Sequence, residues 1–246
     1  MIRAINGLPG YGKNVYATYL AKKHFRRTNF IVLRIIRKIK HEPVYINNVY
    51  TTYPVLLKKY SKRSKKQDVY SNKITLYDLD NSYKFQKNAF IVVDEVQGFY
   101  DSEEYKDFPK SIATFNQFHR HFDIKDIIYI SQHPSRIVKK LRNLISEYDK
   151  IRIFIHIPIL NIAFIYYSRY FEFEDYGKYH HPKKEAKTYD VKNWFAIFRT
   201  STVFKSYHSK YLNVLNKDKP KYSDKEFETL DLTEKEIQFI YRGNLQ

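Results

Sequence analysis

The sequence contains no cysteine, one tryptophan and only six glycines among its 246 residues. Without cysteine the chain can form neither a disulfide framework nor a thiolate metal site. A reducing compartment is therefore the simplest expectation. Separately, we expect neither haem nor zinc among the partners. The few glycines are unevenly placed, because three of them, Gly7, Gly10 and Gly12, lie near the amino terminus.

A long hydrophobic run is also lacking. The most apolar stretch, residues 153–168, is shorter than the ~20 residues that a membrane-spanning helix needs, and His156, Pro158 and Asn161 interrupt it. Its isoleucines alternate with other residues from Ile151 to Ile159, which is the period of a strand. We expect neither a membrane span nor a signal peptide.

Acidic residues are too few to balance the basic ones, and the net charge is +18. Such a chain is attracted to polyanions, either nucleic acid or an anionic membrane surface. The basic residues cluster at 22–27, 34–40, 58–66 and 183–187. Tyr60 and Tyr70 flank the third cluster, where they could stack on unpaired bases. The alternative is a generally basic, solvated surface.

Strand and helix patterns alternate through the first 159 residues. We predict strands at 2–6, 43–50, 89–94, 126–131 and 151–159, and helices from 13 onward and at 26–40, 109–119 and 135–147. This order predicts an α/β fold, a mostly parallel sheet with helices on both faces. We assign residues 1–159 to a core domain. We expect residues 160–246 to form a β-rich, mixed C-terminal extension. It has a strand at 162–174, a basic loop at 176–187, a segment at 191–201 that returns to the fold and a short helix near the end.

The segment "GLPGYGKN" matches the phosphate-binding pattern G-x-x-x-x-G-K except at its last place. Glycines allow the backbone to wrap N–H groups around a phosphate, and the following helix adds its positive end. A lysine at this place reaches the outer phosphates of a nucleotide. The alternative is an ordinary turn with an exposed lysine. The predicted nucleotide-binding residues are Gly7, Leu8, Pro9, Gly10, Tyr11, Gly12, Lys13 and Asn14.

Asn14 stands where a serine or threonine would offer an oxygen to Mg²⁺. An amide oxygen can also ligate a hard cation, so Asn14 remains a candidate metal residue. Asn14 is also consistent with the alternative of a protein that binds nucleotide but hydrolyses it poorly.

Two acids end the buried strand of "FIVVDEVQ", at the edge of an α/β sheet where ligands bind. We expect Asp94 to hold Mg²⁺ and Glu95 to orient and deprotonate the attacking water. Gln132 follows the next strand, where it could contact the γ-phosphate or the water. Alternatively, Gln132 is a turn residue before Pro134, and the acids end a strand at a solvated turn.

The segment "FNQFHRHFDIKDIIYISQHPSRIVKKLR", residues 115–142, resembles the zonula occludens toxin (Zot) family. "GLPGYGKNVYA" and "PVYINNV" resemble its amino-terminal segments, so the resemblance covers about residues 1–150. It implies a RecA-like ATPase core of the kind found in filamentous phage assembly proteins. The family commonly continues into a membrane span and an extracytoplasmic tail, which this sequence does not show.

Arg120 lies in the family's H-R-H motif. It could act as an arginine finger on a neighbouring subunit's nucleotide, or form an ion pair with Asp123 or Glu95. Arg136 and Arg142 are further finger candidates.

Together these features predict a P-loop ATPase that uses ATP and Mg²⁺ in virion assembly or in the extrusion of single-stranded phage DNA. We expect a homo-oligomeric ring in the host cytoplasm. Its expected partners are single-stranded DNA or phage assembly proteins, with peripheral contact to the anionic inner face of the membrane. One alternative is a nucleotide-gated adaptor that does not hydrolyse ATP. Another is a helicase or packaging ATPase of the same fold.

Overall fold

The computed structural model describes residues 1–44, 46–60, 67–74, 85–96, 110–171 and 191–206. Several predicted features lie outside these ranges. They are most of the third basic cluster, the end of the predicted strand at 162–174, the basic loop at 176–187 and the terminal helix.

Eight strands of the described residues form one sheet, in the order β10-β9-β8-β1-β7-β6-β2-β5. The six strands from β8 to β5 are parallel to their neighbours, whereas β9 and β10 are antiparallel. The strands of this sheet are β1 (Ile2–Asn6), β2 (Val49–Thr51), β5 (Asn72–Lys73), β6 (Ala89–Val93), β7 (Ile124–Ser131), β8 (Glu147–Ile157), β9 (Ile162–Tyr170) and β10 (Lys192–Arg199). A separate antiparallel pair joins β3 (Leu56–Lys58) to β4 (Val69–Tyr70).

Helices pack on both faces of the parallel strands. The described helices are α1 (Lys13–Thr28), α2 (Ile31–Ile39), α3 (Lys110–Phe118), α4 (Lys139–Arg142) and α5 (Thr200–Val203). Helix α1 buries Val15, Ala17, Ala21 and Phe25 in one hydrophobic core with Val92 and Ile130. Helices α3 and α4 supply Ile112, Phe115 and Leu141 to a second core, with Ile91 and Tyr129. The predicted α/β fold is confirmed.

Three predicted elements differ from the structure. The predicted helix at 26–40 is shorter, because residues 26–28 belong to α1 and α2 begins only at Ile31. The predicted helix at 135–147 is mostly wrong, because only Lys139–Arg142 is α-helical and Glu147 already begins β8. Ile137 and Val138 are fully buried, and the extended backbone at Ile137 turns them into the core. The predicted strand at 43–50 is narrower and later, at Val49–Thr51.

The strands after residue 159 extend the same sheet. β9 pairs with β8 from Tyr148–Tyr170 to Ile157–Ile162, and β10 pairs with β9 along its whole length. The predicted domain boundary therefore falls in the turn between two paired strands.

Within the described part of the chain, no helix has both the length and the apolar character needed to cross a bilayer.

Candidate nucleotide-binding site

The glycine-rich loop lies at the carboxyl end of β1 and leads directly into α1. Gly10 and Gly12 have φ angles of 81° and 76°, in the left-handed region that side chains disfavour. Gly12 precedes α1 as its cap and offers it no side-chain hydrogen bond. The amino end of α1 therefore presents backbone N–H groups and the positive end of the helix dipole to the loop. This arrangement suits a phosphate group.

A ring from the neighbouring strand closes one side of the loop. A Cβ atom added to Gly12 would lie 2.9 Å from Cγ and Cδ2 of Phe154, a residue of β8. Because β8 is the parallel neighbour of β1 and runs beyond it, Phe154 reaches the loop. Glycine is thus required at position 12 for two reasons: its backbone conformation is left-handed, and the ring of Phe154 occupies the space that a Cβ atom would need. Sequence analysis missed Phe154, because the pairing of β8 with β1 is a long-range feature.

Lys13 is folded against the carbonyl groups of its own loop. Its ammonium donates to the backbone oxygen of Gly7 at 2.7 Å and to that of Leu8 at 3.2 Å. Burial lowers the pKa of Lys13, while the charges of Glu95 and Asp94 oppose that shift. The side chain is thus already inside the loop, close to the two acids.

Asn14 links the loop to the acidic strand end. Its side-chain amide donates a hydrogen bond of 2.5 Å to a carboxylate oxygen of Asp94. Asp94 directly follows β6, which is separated from β1 by β7 alone. The two segments predicted to share a ligand therefore meet in the folded chain. The amide acts here as a donor to the acid, whereas the sequence had suggested its oxygen as a metal ligand.

Asp94 is nearly fully buried at the end of β6. Burial raises the pKa of Asp94 to about 7, the charge of Glu95 adds to the shift, and the hydrogen bond from Asn14 opposes it. The backbone N–H of Asp94 donates to the hydroxyl of Thr52 at 2.9 Å. Thr52 directly follows β2, so the rule that ligands bind at carboxyl strand ends could have indicated it.

Glu95 adopts a left-handed conformation, with φ of 49°, which is costly for a residue with a Cβ atom. Its backbone N–H donates to the other carboxylate oxygen of Asp94 at 2.9 Å. This turn separates the two acids in exposure, because Asp94 is buried while Glu95 is partly exposed. A buried and a partly exposed carboxyl group therefore lie next to each other at the end of β6.

Gln132 follows β7, the strand between β1 and β6. It therefore lies at the same sheet edge, between the loop and the acids. Arg136, an exposed residue one turn further on, donates to the side-chain oxygen of Gln132 at 3.3 Å.

Arg120 is not part of this group. It lies in the turn that precedes β7, beside Lys87, Asn88 and Ile124. These residues mark the amino ends of β6 and β7, opposite the edge that carries the glycine loop. The structure therefore separates Arg120 from Glu95 within one chain. The only described hydrogen bond between Arg120 and Asp123 runs from the backbone N–H of Asp123 to the carbonyl of Arg120.

Part of the chain matches the model of one known protein family. The model of the family "Zonular occludens toxin (Zot)" matches residues 56–155, which include Asp94, Glu95 and Gln132 but not the glycine loop. A search of curated proteins finds no match.

Among solved structures, the chain is similar to the N-terminal domain of zonular occludens toxin from Neisseria meningitidis. Identity is 17% and the TM-score 0.49, covering 84% of this chain and 98% of that one. It is also similar to the genome packaging NTPase B204 from Sulfolobus turreted icosahedral virus 2 in complex with sulfate. There identity is 16% and the TM-score 0.41, covering 78% of this chain and 94% of that one. The family match confirms the resemblance to the Zot family for the motifs between residues 115 and 142, whereas "GLPGYGKNVYA" and "PVYINNV" lie outside residues 56–155.

Proposed function

We propose that this protein is a P-loop ATPase that binds ATP with Mg²⁺ and uses hydrolysis to move single-stranded DNA during virion assembly. The contact between Asn14 and Asp94 carries the proposal, because it brings the phosphate-binding loop and the acidic pair together. The match of residues 56–155 to the Zot family model supports the assignment to a phage process.

The residues of the site fit a nucleotide and a cation. Left-handed glycines and an uncapped helix start suit phosphate oxygens, and a buried carboxylate next to a second acid suits Mg²⁺. The cation, when bound, would neutralise charge on the phosphates. The residues that would hold the cation are Asp94 and Asn14.

Each residue then has a role in the reaction. Lys13 leaves the carbonyls of Gly7 and Leu8 and binds the outer phosphates. Glu95 accepts a proton from the attacking water, and Gln132 orients that water. Because Asn14 donates to Asp94, it holds the carboxylate at the loop in the absence of nucleotide.

The proposal is tested by phosphate release from ATP and by nucleotide binding, each measured with and without single-stranded DNA. Lys13→Ala should lose both binding and hydrolysis. Glu95→Gln should keep binding and lose hydrolysis, because only the proton acceptor is removed. Full turnover by Glu95→Gln would reject the role of Glu95, and absence of ATP binding by the wild-type protein would reject the proposal.

A second candidate is a nucleotide-gated adaptor that binds ATP without hydrolysing it. The observation that favours it is that Asn14 replaces the usual hydroxyl and is already bonded to Asp94. Tight ATP binding, with no phosphate released even when single-stranded DNA is present, would select the adaptor over the motor.

A further inference from the structure

Helix α2 lies on the protein without burying any of its residues. Its sequence, "IVLRIIRKI", contains six aliphatic side chains, and all six are exposed, with fractions between 41% for Leu33 and 72% for Ile39. Phe30, which precedes the helix, is 59% exposed. A helix of a soluble domain normally turns its apolar side to the core. Helix α2 shows the reverse arrangement.

Five of the six exposed aliphatic residues form one side of the helix, and Leu33 is the exception. At about 100° per residue, Ile31, Val32, Ile35, Ile36 and Ile39 fall within an arc of about 140°. The basic residues Arg34 and Arg37 lie on the other side and are only half exposed. The guanidinium of Arg37 donates to the backbone oxygen of Thr28 at 2.8 Å. This bond ties the basic side to the end of α1 and leaves the apolar side facing outward.

Basic residues are concentrated in α2 and in the sequence that precedes it. Between residues 22 and 40 the chain has eight basic residues and no acidic one. Lys38 and Lys40 are exposed on and after α2, and Lys23, Arg26 and Arg27 are exposed on the preceding helix. Lys125 lies in the same surface cavity as Lys23 and Arg27. The segment therefore combines exposed aliphatic side chains with an excess of positive charge. Glu42, which donates from its backbone to the carbonyl of Arg37, offsets only part of it.

We propose that α2 is an interfacial membrane helix that docks the protein on an anionic lipid surface. Helices that lie in the headgroup region have this design, with an apolar side in the acyl boundary and basic residues beside it. Basic residues at such a surface are attracted by anionic lipids. Nucleic acid offers no apolar phase for the five aliphatic side chains of the arc, so charge alone would leave the arc unexplained.

The docking side lies away from the nucleotide site. Helix α1 begins at the glycine loop and ends at Thr28, where Arg27 and Lys125 share a cavity with Asp126 at the start of β7. Helix α2 follows α1 after two residues. With α2 on the lipid, the carboxyl edge that carries Lys13, Asp94 and Glu95 stays open to the aqueous phase. The proposal does not depend on ATP hydrolysis.

The test is sedimentation of the full chain with phosphatidylcholine vesicles, prepared with and without phosphatidylglycerol. Wild-type protein should sediment with the anionic vesicles and much less with the neutral ones. The double substitution Ile35→Glu and Ile39→Glu should weaken binding more than about tenfold, because it puts charge into the apolar layer. The matched control is Ile159→Glu with Leu160→Glu. These two exposed residues, in the turn between β8 and β9, should leave binding unchanged.

A second readout reports insertion directly. The chain has one tryptophan, Trp194, so Ile39→Trp with Trp194→Phe places the only indole on α2. Its emission should shift to shorter wavelength when anionic vesicles are added. The proposal would be overturned if the Ile35→Glu, Ile39→Glu variant sedimented with anionic vesicles as the wild type does. It would also be overturned if the emission of the Ile39→Trp, Trp194→Phe variant did not shift. The proposal would also be overturned if the wild-type protein bound no vesicles and the double substitution instead dissociated an oligomer or abolished binding of single-stranded DNA.

Discussion

Asn14 and Asp94 are 80 positions apart in the sequence and 2.5 Å apart in the structure, amide nitrogen to carboxylate oxygen. Asn14 belongs to the first turn of α1, and Asp94 follows β6 on the far side of β7. The contact ties the phosphate-binding loop to the acid that we expect to face the cation. Since Asp94 is buried with a raised pKa, a hydrogen bond from a neutral amide is well suited to hold it.

Replacing Asn14 with aspartate should damage the apo protein. Asn14→Asp keeps the shape of the side chain and places a second carboxylate against buried Asp94, which removes the donor and adds repulsion. We expect a loss of about 1–3 kcal/mol of unfolding free energy in magnesium-free buffer. Urea unfolding measures it, and Asn14→Ser, which keeps a donor, is the control. Equal stability of Asn14→Asp and the wild type would show that the contact is unimportant.

Gly12 and Gly10 should respond differently to alanine. Both have a positive φ, but a Cβ at Gly12 would also clash with Phe154 at 2.9 Å, whereas a Cβ at Gly10 meets nothing within 4 Å. Gly10→Ala should cost about 1 kcal/mol from backbone strain alone, and Gly12→Ala should cost more. The measurement is again urea unfolding. In a Phe154→Ala background the difference between the two glycine variants should shrink, and an unchanged difference would contradict the steric explanation.

Arg136 and Arg120 should differ in their effect on turnover. Arg136 donates to Gln132 at the carboxyl edge, while Arg120 lies at the amino edge with Lys87 and Ile124. We expect Arg136→Ala to lower ATP turnover by at least about tenfold, because a guanidinium near the γ-phosphate stabilises transition-state charge. Arg120→Ala should leave it nearly unchanged. Phosphate release measures both, and a collapse in Arg120→Ala alone would restore Arg120 as a finger acting between subunits.

Lys22 should make stability depend on alkaline pH. Its ammonium is buried, where it donates to the backbone oxygen of Leu56 and the hydroxyl of Ser206. Burial lowers the pKa of Lys22 to about 8, and the charge of Arg26 adds to the shift. The folded state therefore binds fewer protons than the unfolded state above pH 8. The free energy of unfolding should rise with pH from about 8 to about 10.

The shift corresponds to about 3 kcal/mol over the full range. Lys22→Met should make this slope smaller but not remove it, because burial also lowers the pKa of Lys150 to about 8. The variant should be less stable throughout, because two acceptors lose their donor. Lys23→Met, at an exposed position of the same helix, should follow the wild type. The measurement is denaturant unfolding across the pH range. Parallel curves for the wild type and Lys22→Met would contradict the assignment.

Local patterns were sufficient for much of the fold. Strand β1, the glycine loop and the start of α1 follow from residues that are adjacent in sequence, as does the buried strand that ends in Asp94 and Glu95. The alternating isoleucines from Ile151 predicted β8 for the same reason. The prediction for residues 135–147 was mostly wrong, because the helical pattern of this segment competes with the burial of Ile137 and Val138. Only the packed core imposes that burial.

The sequence alone determined which segments have the chemistry for a phosphate and a cation, because glycine spacing, a lysine and paired acids are local properties. The tertiary structure decided which of them meet. Parallel pairing of β1, β7 and β6 brings Asn14 to Asp94 and Gln132 between them, and the same pairing sends Arg120 to the opposite edge. It also decided that α2 keeps its apolar side exposed, since an amphipathic pattern specifies that a helix has an apolar side but not what covers it.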